Sequence, residues 1–412
     1  MKPSPALPSL LLLASLLPAL AAPGDWPTWR GPKRDGISTE TGLLKQWPAD
    51  GPPLAWKING CGTGYSSVAV ADGMVVTMGD GPDGARVLAF SAKDGQPIWQ
   101  TEVIGKPGGN YAGTRCTPAI DSGLIYALGQ FGDFVCVDGK SGKVLWSKSL
   151  QKDFGGNYAG WNYTESPLVD GDKVLITPGG RQGTMVALNK KTGALIWQSK
   201  QWTDGAAYSS IVPSDFGGKR HYVQFTEQSV AGIDAATGNL VWRAPRKGAT
   251  ASIPTPVLSG DLVYVTSGYG VGCNLFKLQR AGSVIASQEV YANKSMVNHH
   301  GGVILIGQHV YGHSDSGGWT CMDLRTGNVA WSNKGVGKGA IAYADGHFYC
   351  RSEGGHGTVA LIEATPTGYK EKGRFNQPER SKQNSWAHPV IANGKLYLRD
   401  MDVLLCYDVK QK

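Results

Sequence analysis

Six side chains in this sequence have groups suited to acid–base or ligand chemistry, and none belongs to a motif of recognised spacing. They are the candidate catalytic residues Arg115, Glu165, His299, His300, Lys338 and His388. Carboxylates, imidazoles and cations transfer protons or hold ligands only where the fold gathers them in one cavity. The sequence therefore predicts candidates without a catalytic constellation.

The hexapeptide GGNYAG occurs twice, at residues 108–113 and 155–160, and the second copy runs directly into the segment WNYTES. Aromatic rings beside amides can stack on a ligand and hydrogen-bond to its edge, which suits a protein, a peptide or a glycan. The candidate ligand-binding residues are Asn110, Tyr111, Asn157, Tyr158, Trp161, Asn162, Tyr163 and Trp386.

A repeat that ends in tryptophan carries these residues. Trp99, Trp146, Trp197 and Trp242 follow one another at 47, 51 and 45 residues, and Trp331 lies a further 89 residues on, about twice the period. The hidden unit is predicted at 274–286, with its Trp replaced. Each unit alternates apolar and polar residues on both sides of a D-x-x-T-G turn or a variant of it, which predicts a β-hairpin.

A second strand pair precedes every such hairpin, so each unit of about 45 residues predicts a four-stranded antiparallel sheet. One sheet cannot bury both of its faces, and units of this length stack radially. We therefore predict an all-β, eight-bladed β-propeller. The last blade lacks its outer strand, and we expect Leu54–Ile58, which contains Trp56, to complete it and close the ring without an open edge.

The residues that enter each innermost strand are candidates to face the axis of the ring. One register contains Ser66, Cys116, Glu165, Ser209, Pro254, His300, Gly339 and Ala387. The register one residue earlier contains Tyr65, Arg115, Thr164, Tyr208, Ile253, His299, Lys338 and Trp386. Strand alternation sends one set to the axis, and the sequence leaves both open. Arg115 and Glu165 lie on neighbouring blades, which is compatible with a salt bridge, a hydrogen-bonded lock or a ligand site.

The first 21 residues predict a cleavable signal peptide, because Lys2 precedes an apolar stretch at 10–17 and a small-x-small site at 19–21. Residues 22–51 form an N-terminal lead-in, and 52–412 are predicted to form the single propeller domain. No other stretch reaches the roughly 18 to 20 apolar residues of a membrane span. With no cysteine near the cleavage site to carry a lipid, we expect a periplasmic or secreted monomer.

Charge and cysteine placement exclude two further classes of protein. The net charge is 40 − 32 = +8, without a block of like charges, so no nucleic-acid surface is predicted. The seven cysteines fall singly, which excludes metal-cluster spacing and favours burial as small apolar side chains. Cys61 with Cys116 is the one disulfide pairing to consider.

The pattern A-x-D-x-x-T-G-x-x-x-W, clearest in ALNKKTGALIW and GIDAATGNLVW, resembles the repeat of the PQQ-like propeller superfamily over residues 54–410. The lead-in DWPTWRGPKRDGIS, at 25–38, resembles that of exported members without an assigned activity. The resemblance implies the fold. Its known members include outer-membrane assembly scaffolds and pyrroloquinoline-quinone (PQQ) dehydrogenases, so it leaves function open.

Three functions are compatible with this resemblance. The first is a rigid, non-catalytic scaffold that binds a protein, peptide or glycan on the face that carries GGNYAG. The second is a quinoprotein dehydrogenase using PQQ and calcium, with Glu165 and Asn162 as the metal ligands, although the adjacent cysteine pair of such alcohol dehydrogenases is absent. The third is a hydrolase, which would need a second carboxylate beside Glu165, for example Asp153 or Asp204.

Overall fold

The computed structural model describes residues 23–282 and 284–411, and these form an eight-bladed propeller, as predicted. The predicted signal peptide lies outside the described residues. Each blade is an antiparallel sheet of four strands, with one additional strand on the seventh. One short α-helix occurs in the described part of the chain, and no helix there is long and apolar enough to cross a membrane.

Two strands precede the first blade: β1 (Ile37–Ser38) and β2 (Leu54–Ile58). Blade 1 contains β3 (Ala69–Ala71), β4 (Met74–Asp80), β5 (Ala85–Ser91) and β6 (Pro97–Gln100), and blade 2 contains β7 (Ala119–Asp121), β8 (Leu124–Leu128), β9 (Asp133–Asp138) and β10 (Val144–Ser149). Helix α1 (Leu150–Phe154) leads into blade 3, with β11 (Leu168–Asp170), β12 (Lys173–Ile176), β13 (Val186–Asn189) and β14 (Leu195–Gln198). Blade 4 contains β15 (Val212–Phe216), β16 (Lys219–Phe225), β17 (Ser229–Asp234) and β18 (Leu240–Pro245).

Blade 5 contains β19 (Val257–Ser259), β20 (Leu262–Ser267), β21 (Gly272–Ala281) and β22 (Val284–Asn293). Blade 6 contains β23 (Val303–Ile306), β24 (His309–Ser314), β25 (Gly318–Asp323) and β26 (Val329–Asn333). Blade 7 contains β27 (Gly339–Ala344), β28 (His347–Ser352), β29 (Val359–Glu363) and β30 (Glu371–Phe375). Blade 8 contains β31 (Val390–Ala392), β32 (Lys395–Asp400) and β33 (Val403–Asp408), with β2 as its outermost strand.

The two ends of the chain close the ring in the predicted way. β2 pairs antiparallel with β33, which places Trp56 opposite Cys406 and Ile58 opposite Leu404. Blade 8 therefore has the same number of strands as blade 1. Because both neighbours of every blade are present, no blade face is left open to solvent.

The D-x-x-T-G turns are held by their first side chain. Asp234 Oδ1 accepts hydrogen bonds from the backbone N–H of Thr237 (2.9 Å) and from its hydroxyl (3.0 Å). Asp323 makes the same contacts with Thr326, at 2.8 and 2.9 Å. Gly238 follows with φ of +76°, a conformation that is strained for residues with a Cβ. The repeated Asp, Thr and Gly are thus requirements of one turn.

Each repeat Trp from blades 1 to 3 docks on the turn of the next blade. The Nε1–H of Trp99 donates to the carbonyl of Gly139 at 2.9 Å, and that of Trp146 donates to Lys190 at 3.1 Å. A Cβ on Gly142 would lie 2.8 Å from the ring of Trp99. The glycine of the turn therefore serves twice, since it takes a positive φ and leaves room for the neighbouring indole.

Blade 5 departs from the prediction for the hidden repeat. Its outer hairpin is longer than the expected unit at 274–286, with ten residues in each of β21 and β22. Tyr291 occupies the Trp position, and its hydroxyl donates to Leu324 of blade 6 at 2.8 Å. Since this hairpin has no T-G turn, Trp242 of blade 4 has a buried Nε1–H with no acceptor among the described residues.

The lead-in enters the central channel of the ring, which the repeat pattern gave no reason to expect. Residues 24–43, called the plug below, contact inner strands or the residues beside them in seven blades: Val70, Ile120, Pro167, Thr255, Val303, Tyr343 and Asn393. Within the plug, β1 pairs in parallel with the inner edge of β27. The plug fills the channel.

Two arginines fix the plug through backbone carbonyls. Arg34 donates to the carbonyls of Ser166 (2.7 Å) and Pro167 (2.8 Å), and Arg30 donates to that of Val303 (2.6 Å). Both guanidinium groups are buried, and burial lowers their pKa to about 10, so both stay charged at neutral pH. Buried charge is costly unless it is hydrogen-bonded. These contacts therefore bind the plug to blades 3 and 6.

Glu165 lies buried beside this plug and joins blade 3 to blade 4. Its carboxylate accepts from the Thr177 N–H at 2.7 Å, the Thr177 hydroxyl at 3.1 Å and Gln224 Nε2 at 3.1 Å. Burial raises the pKa of Glu165 to about 8, against the opposing effect of these hydrogen bonds and of Arg34. The residue is thus part of the inner wall of the ring.

Trp197, the repeat Trp of blade 3, tests the docking contact. It is 7% exposed, and a Cβ on Gly238 would meet its ring at 2.6 Å. We expect Trp197→Ala to lower the free energy of unfolding by about 3–5 kcal/mol, measured by urea denaturation. Leu195→Ala on the same strand is the control, because Leu195 is 53% exposed and should change stability by less than about 0.5 kcal/mol. Equal losses for the two variants would contradict the docking role.

Glu165 gives protein stability a pH dependence of defined sign. Its pKa rises from the ordinary 4.5 to about 8 on folding, so the folded protein holds this proton more tightly. Its contribution is complete below the unfolded pKa and is lost as pH rises through the folded pKa, at up to about 1.4 kcal/mol per pH unit between them. Glu165→Gln, which has no titratable proton, should remove this loss.

Urea midpoints of the wild type and Glu165→Gln, measured between about pH 5 and pH 8, provide the measurement. The variant should gain stability relative to the wild type as pH rises. A difference that does not change with pH would show that folding leaves the pKa of Glu165 at its ordinary value, and a difference that shrinks would show that folding lowers it.

Candidate functional site

A pocket of about 280 Å3 opens at the axis, on the face where the outer strand of one blade connects to the inner strand of the next. Its wall comes from residues around the ring, and Trp29 of the plug lines it from the channel side. The indole N–H of Trp29 donates to the Thr255 hydroxyl at 3.0 Å. Because the plug occupies the channel, the pocket is blind.

The structure decides which inner-strand register faces the axis. Seven of the eight residues in the earlier register line the pocket: Tyr65, Arg115, Thr164, Tyr208, Ile253, His299 and Trp386. Each lies four positions before the first residue of its inner strand, as Tyr65 does before Ala69. The exception is Lys338, which directly precedes the longer strand β27 and pairs with Asp315 at 3.0 Å. Of the later register only His300 lines the pocket.

Aromatic rings form an almost continuous belt around the pocket. Tyr111 lies 5.5 Å from Trp161 and 5.0 Å from Trp386, measured between ring centroids, and Trp386 lies 4.6 Å from Tyr65. The belt continues from Trp386 through the two histidines to Tyr269, with centroid distances of 6.0, 5.2 and 4.8 Å. Such a wall offers ring faces to a ligand.

Arg115 stabilises the rim of this belt. Its guanidinium donates to the carbonyl of Trp161 at 2.9 Å, to that of Tyr111 at 2.7 Å and to that of Asn110. It also lies 5.9 Å from the centre of the Tyr65 ring. Burial lowers the pKa of Arg115. The guanidinium of Arg115 is thus bonded to rim carbonyls, whereas the carboxyl group of Glu165 is bonded to Thr177 and Gln224 in blades 3 and 4. The salt bridge between Arg115 and Glu165 that the sequence allowed is therefore not formed.

Among the described residues, Glu353 is the acidic side chain that lines the pocket, and no sequence pattern singled it out. Its Oε2 accepts from the indole N–H of Trp386 at 2.8 Å and lies 2.7 Å from Nε2 of His300. Burial by itself raises the pKa of Glu353, but these contacts outweigh it and hold the pKa at about 2. Glu353 follows β28, in a connection between second and third strands. Those connections lie on the same face as the pocket. A search of them for charged residues would have found Glu353.

Two other candidate histidines are held neutral. Burial lowers the pKa of His299 to about 4 and that of His388 to about 3. The Nε2 of His388 lies 3.0 Å from the carbonyl of His300, and its ring packs 4.5 Å from the centre of Trp29. Near neutral pH neither imidazole carries a charge toward a ligand.

The two GGNYAG copies occupy equivalent connections but differ in conformation. In the first, Tyr111 has φ of +52°, is 51% exposed and lines the pocket, and Asn110 Nδ2 donates to Gly160 at 3.3 Å. In the second, Gly155 caps helix α1 and Asn157 accepts from the Ala206 N–H at 3.1 Å. Tyr158 packs on Tyr163, 5.1 Å between centroids. The tertiary partners of each copy, which differ, select its conformation.

The remaining binding candidates lie behind the belt. Tyr163 is buried, and its hydroxyl donates to the Pro178 carbonyl at 2.8 Å. Asn162 is buried with φ of +66°, and its side-chain NH2 has no acceptor within the described ranges. Neither residue lines the pocket. They support the loop from which Trp161 projects.

The residues present do not fit the calcium site that the resemblance implied. Calcium takes six to eight oxygen ligands, whereas both Glu165 oxygens accept hydrogen bonds from N–H or O–H donors and Asn162 lies outside the pocket. In the described part of the chain, no three His, Cys, Asp or Glu side chains are grouped as metal ligands would be.

The seven cysteines are buried and unpaired, so Cys61 and Cys116 do not form the disulfide that the sequence left open. Burial raises the pKa of Cys61 to about 11 and that of Cys116 to about 12. These side chains therefore behave as small apolar groups, as the sequence analysis favoured.

Solved structures share the architecture at low sequence identity. BamB from Moraxella catarrhalis superposes with a TM-score of 0.63 and 15% identity over 87% of this chain and 98% of its own. The quinohemoprotein alcohol dehydrogenase from Comamonas testosteroni gives 0.64 and 12%, over 95% of this chain and 82% of its own. The computationally designed Ika8 protein gives 0.61 and 12%, over 86% and 99%. At these identities the likeness shows the fold alone.

No curated protein matches the chain by sequence. A family model does match it, over residues 37–157 and 83–333, which together span more than half of the chain. That span covers blades 1 to 6, from β3 to β26. The chain belongs to the family of PQQ-like β-propellers whose model is described as outer membrane protein assembly factor BamB.

Proposed function

We propose that this protein is an exported binding scaffold whose axial pocket holds part of a protein, peptide or glycan ligand. The observation that carries the proposal is the aromatic belt around a blind pocket, on the face that displays Tyr111 of the first GGNYAG copy. A concave, aromatic wall with a few convergent polar groups is the usual form of a ligand site.

The pocket is preorganised by contacts within the protein. Trp386 is held by Glu353, Trp161 by the Tyr208 hydroxyl at 3.0 Å from its backbone N–H, and Trp29 by Thr255. Because these rings are already fixed, little conformational entropy is lost when a ligand binds to them, which favours binding. Because those rings come from several blades, the closed ring is what keeps them in place.

Catalysis has less support from the pocket than binding has. Glu353 is the one carboxylate that lines it among the described residues, whereas most glycoside hydrolases use two. Asp204, one possible second carboxylate, instead pairs with Arg243 at 2.9 Å and accepts from the hydroxyls of Thr226 and Ser229. Asp153 Oδ2 accepts from the backbone N–H of Ser149 at the start of α1. Neither lines the pocket.

Export and a macromolecular partner complete the proposal. The sequence of the first 21 residues predicts a signal peptide, and the matching family model is described as an outer membrane assembly factor. A periplasmic or secreted location is consistent with both. In this setting a protein partner would reach the pocket through a loop or a chain terminus, because the pocket is blind and holds only about 280 Å3.

Ligand-dependent thermal stability tests this function. Purified protein is heated with neutral oligosaccharides, with short peptides, or with PQQ plus calcium. A ligand that binds only the folded state at 100 times its Kd stabilises it by about 2.7 kcal/mol, which raises Tm. We expect the oligosaccharides or peptides to raise the Tm of the wild type, and Trp386→Ala to abolish the rise.

Trp331→Ala is the matched control, because it removes an indole on outer strand β26 that packs on Tyr311 and Tyr369, away from the pocket. Its Tm should start lower and still rise with ligand. A rise that persists in Trp386→Ala would place the ligand elsewhere. A rise with PQQ plus calcium, accompanied by reduction of an artificial electron acceptor, would replace the scaffold with an oxidoreductase.

A further inference from the structure

We infer that the axial pocket is a subsite for an uncharged sugar ring, which enters end-on as the terminus of a neutral glycan. This inference rests on the proposed function and names the ligand class of the same pocket. It follows from three features: the charges at the pocket, the surfaces that its walls present, and its closed inner end.

The charged groups of the pocket already have hydrogen-bond partners within the protein. The guanidinium of Arg115 donates to three rim carbonyls, and Glu353 is engaged by His300 and Trp386. An anionic ligand would therefore have to compete with the rim carbonyls for the N–H donors of Arg115, and a cation would have to compete with His300 and Trp386 for Glu353, while each ligand also loses its own hydration. The tricarboxylate PQQ and organic cations are both disfavoured on this ground.

The walls offer flat faces together with unused hydroxyl groups. One face of a pyranose ring presents C–H bonds, whose partial positive charge suits the negative face of an aromatic ring, and its edge presents hydroxyls. The phenol groups of Tyr65, Tyr111 and Tyr269 have no hydrogen-bond partner among the described residues, and all three line the pocket. A purely apolar ligand would leave these groups without partners, at a cost.

The pocket lacks what recognition of a peptide backbone needs. Peptides that add to a sheet use an unpaired strand edge. At the axis the plug already supplies such pairing, through β1 on β27 and through the Trp26 N–H, which donates to Val70 at 2.7 Å. The volume of about 280 Å3 is just below the range of about 300–1,000 Å3 for drug-sized ligands, which fits a ligand of one or two rings.

Two half-exposed tyrosines from distant blades line the pocket. Tyr111 lies in the connection from blade 1 to blade 2, and Tyr269 lies between β20 and β21 of blade 5. Both have a positive φ, of +52° and +55°, and they are 51% and 48% exposed. A non-glycine residue in this conformation persists where the surroundings require it, commonly at ligand sites. Because Trp29 and the plug close the inner end, a glycan cannot pass through the ring, and its terminal ring is the part that fits the pocket.

Titration of intrinsic Trp fluorescence, confirmed by calorimetry, tests the inference with defined probes. The neutral probes are maltose, cellobiose and N,N′-diacetylchitobiose, the charged probes are glucuronate and choline, and the peptide probe is Gly-Trp-Gly. We expect at least one neutral disaccharide to bind at up to millimolar concentration and neither charged probe to do so. Trp386→Ala and Trp161→Ala should each raise its Kd by about tenfold or more, and Trp331→Ala should leave it unchanged.

The outcomes separate this inference from the proposed function. If Gly-Trp-Gly binds, depends on Trp386 and outcompetes every neutral disaccharide, the pocket is a binding site but the sugar assignment is wrong. Binding of glucuronate or choline as tight as that of the disaccharides would also overturn it. If no probe binds in a manner that depends on Trp386, or if a disaccharide binds equally well to both pocket variants, the inference and the proposed pocket fail together.

Discussion

Docking of an outer-strand aromatic side chain on the tight turn of the next blade is the contact on which the structure depends. A four-stranded blade is too thin to bury its own faces, so its stability comes from its neighbours. The indole supplies a broad apolar surface and one N–H donor, and the turn supplies a carbonyl and a glycine without a Cβ. The contact recurs from Trp56 on Gly95 to Trp197 on Gly238, and Tyr291 packs in the same way on Gly327, so it joins neighbouring blades around most of the ring.

The plug converts this ring from an open channel into a blind pocket. Buried Arg30 and Arg34 reach backbone carbonyls on opposite parts of the ring, and Trp29, next to Arg30 in the chain, lines the pocket. The plug also leads directly into β2, which closes blade 8. Ring closure and pocket formation therefore involve one continuous segment, so the axial pocket depends on the integrity of the whole fold.

The chemistry of the pocket is dominated by rings and by charges that are already satisfied. Glu353 and Arg115 orient Trp386, Tyr111 and Trp161, and burial keeps His299 and His388 neutral. Such groups act as positioning residues for aromatic surfaces. This is the physical reason to favour recognition of an uncharged ligand over acid–base or metal chemistry. The quinohemoprotein alcohol dehydrogenase from Comamonas testosteroni shares the architecture only.

Sequence alone was sufficient for the all-β class, the eight blades and the pairing of Leu54–Ile58 with the last blade, because periodic Trp, Asp, Thr and Gly report local turns and nearest-neighbour packing. It also named seven of the eighteen residues that line the pocket, as one of two registers. The choice of register, the pairing of Glu353 with His300, the entry of residues 24–43 into the channel and the different conformations of the two GGNYAG copies were decided by tertiary structure alone. Each of these depends on contacts between residues far apart in the chain, and local pattern carries no record of such contacts.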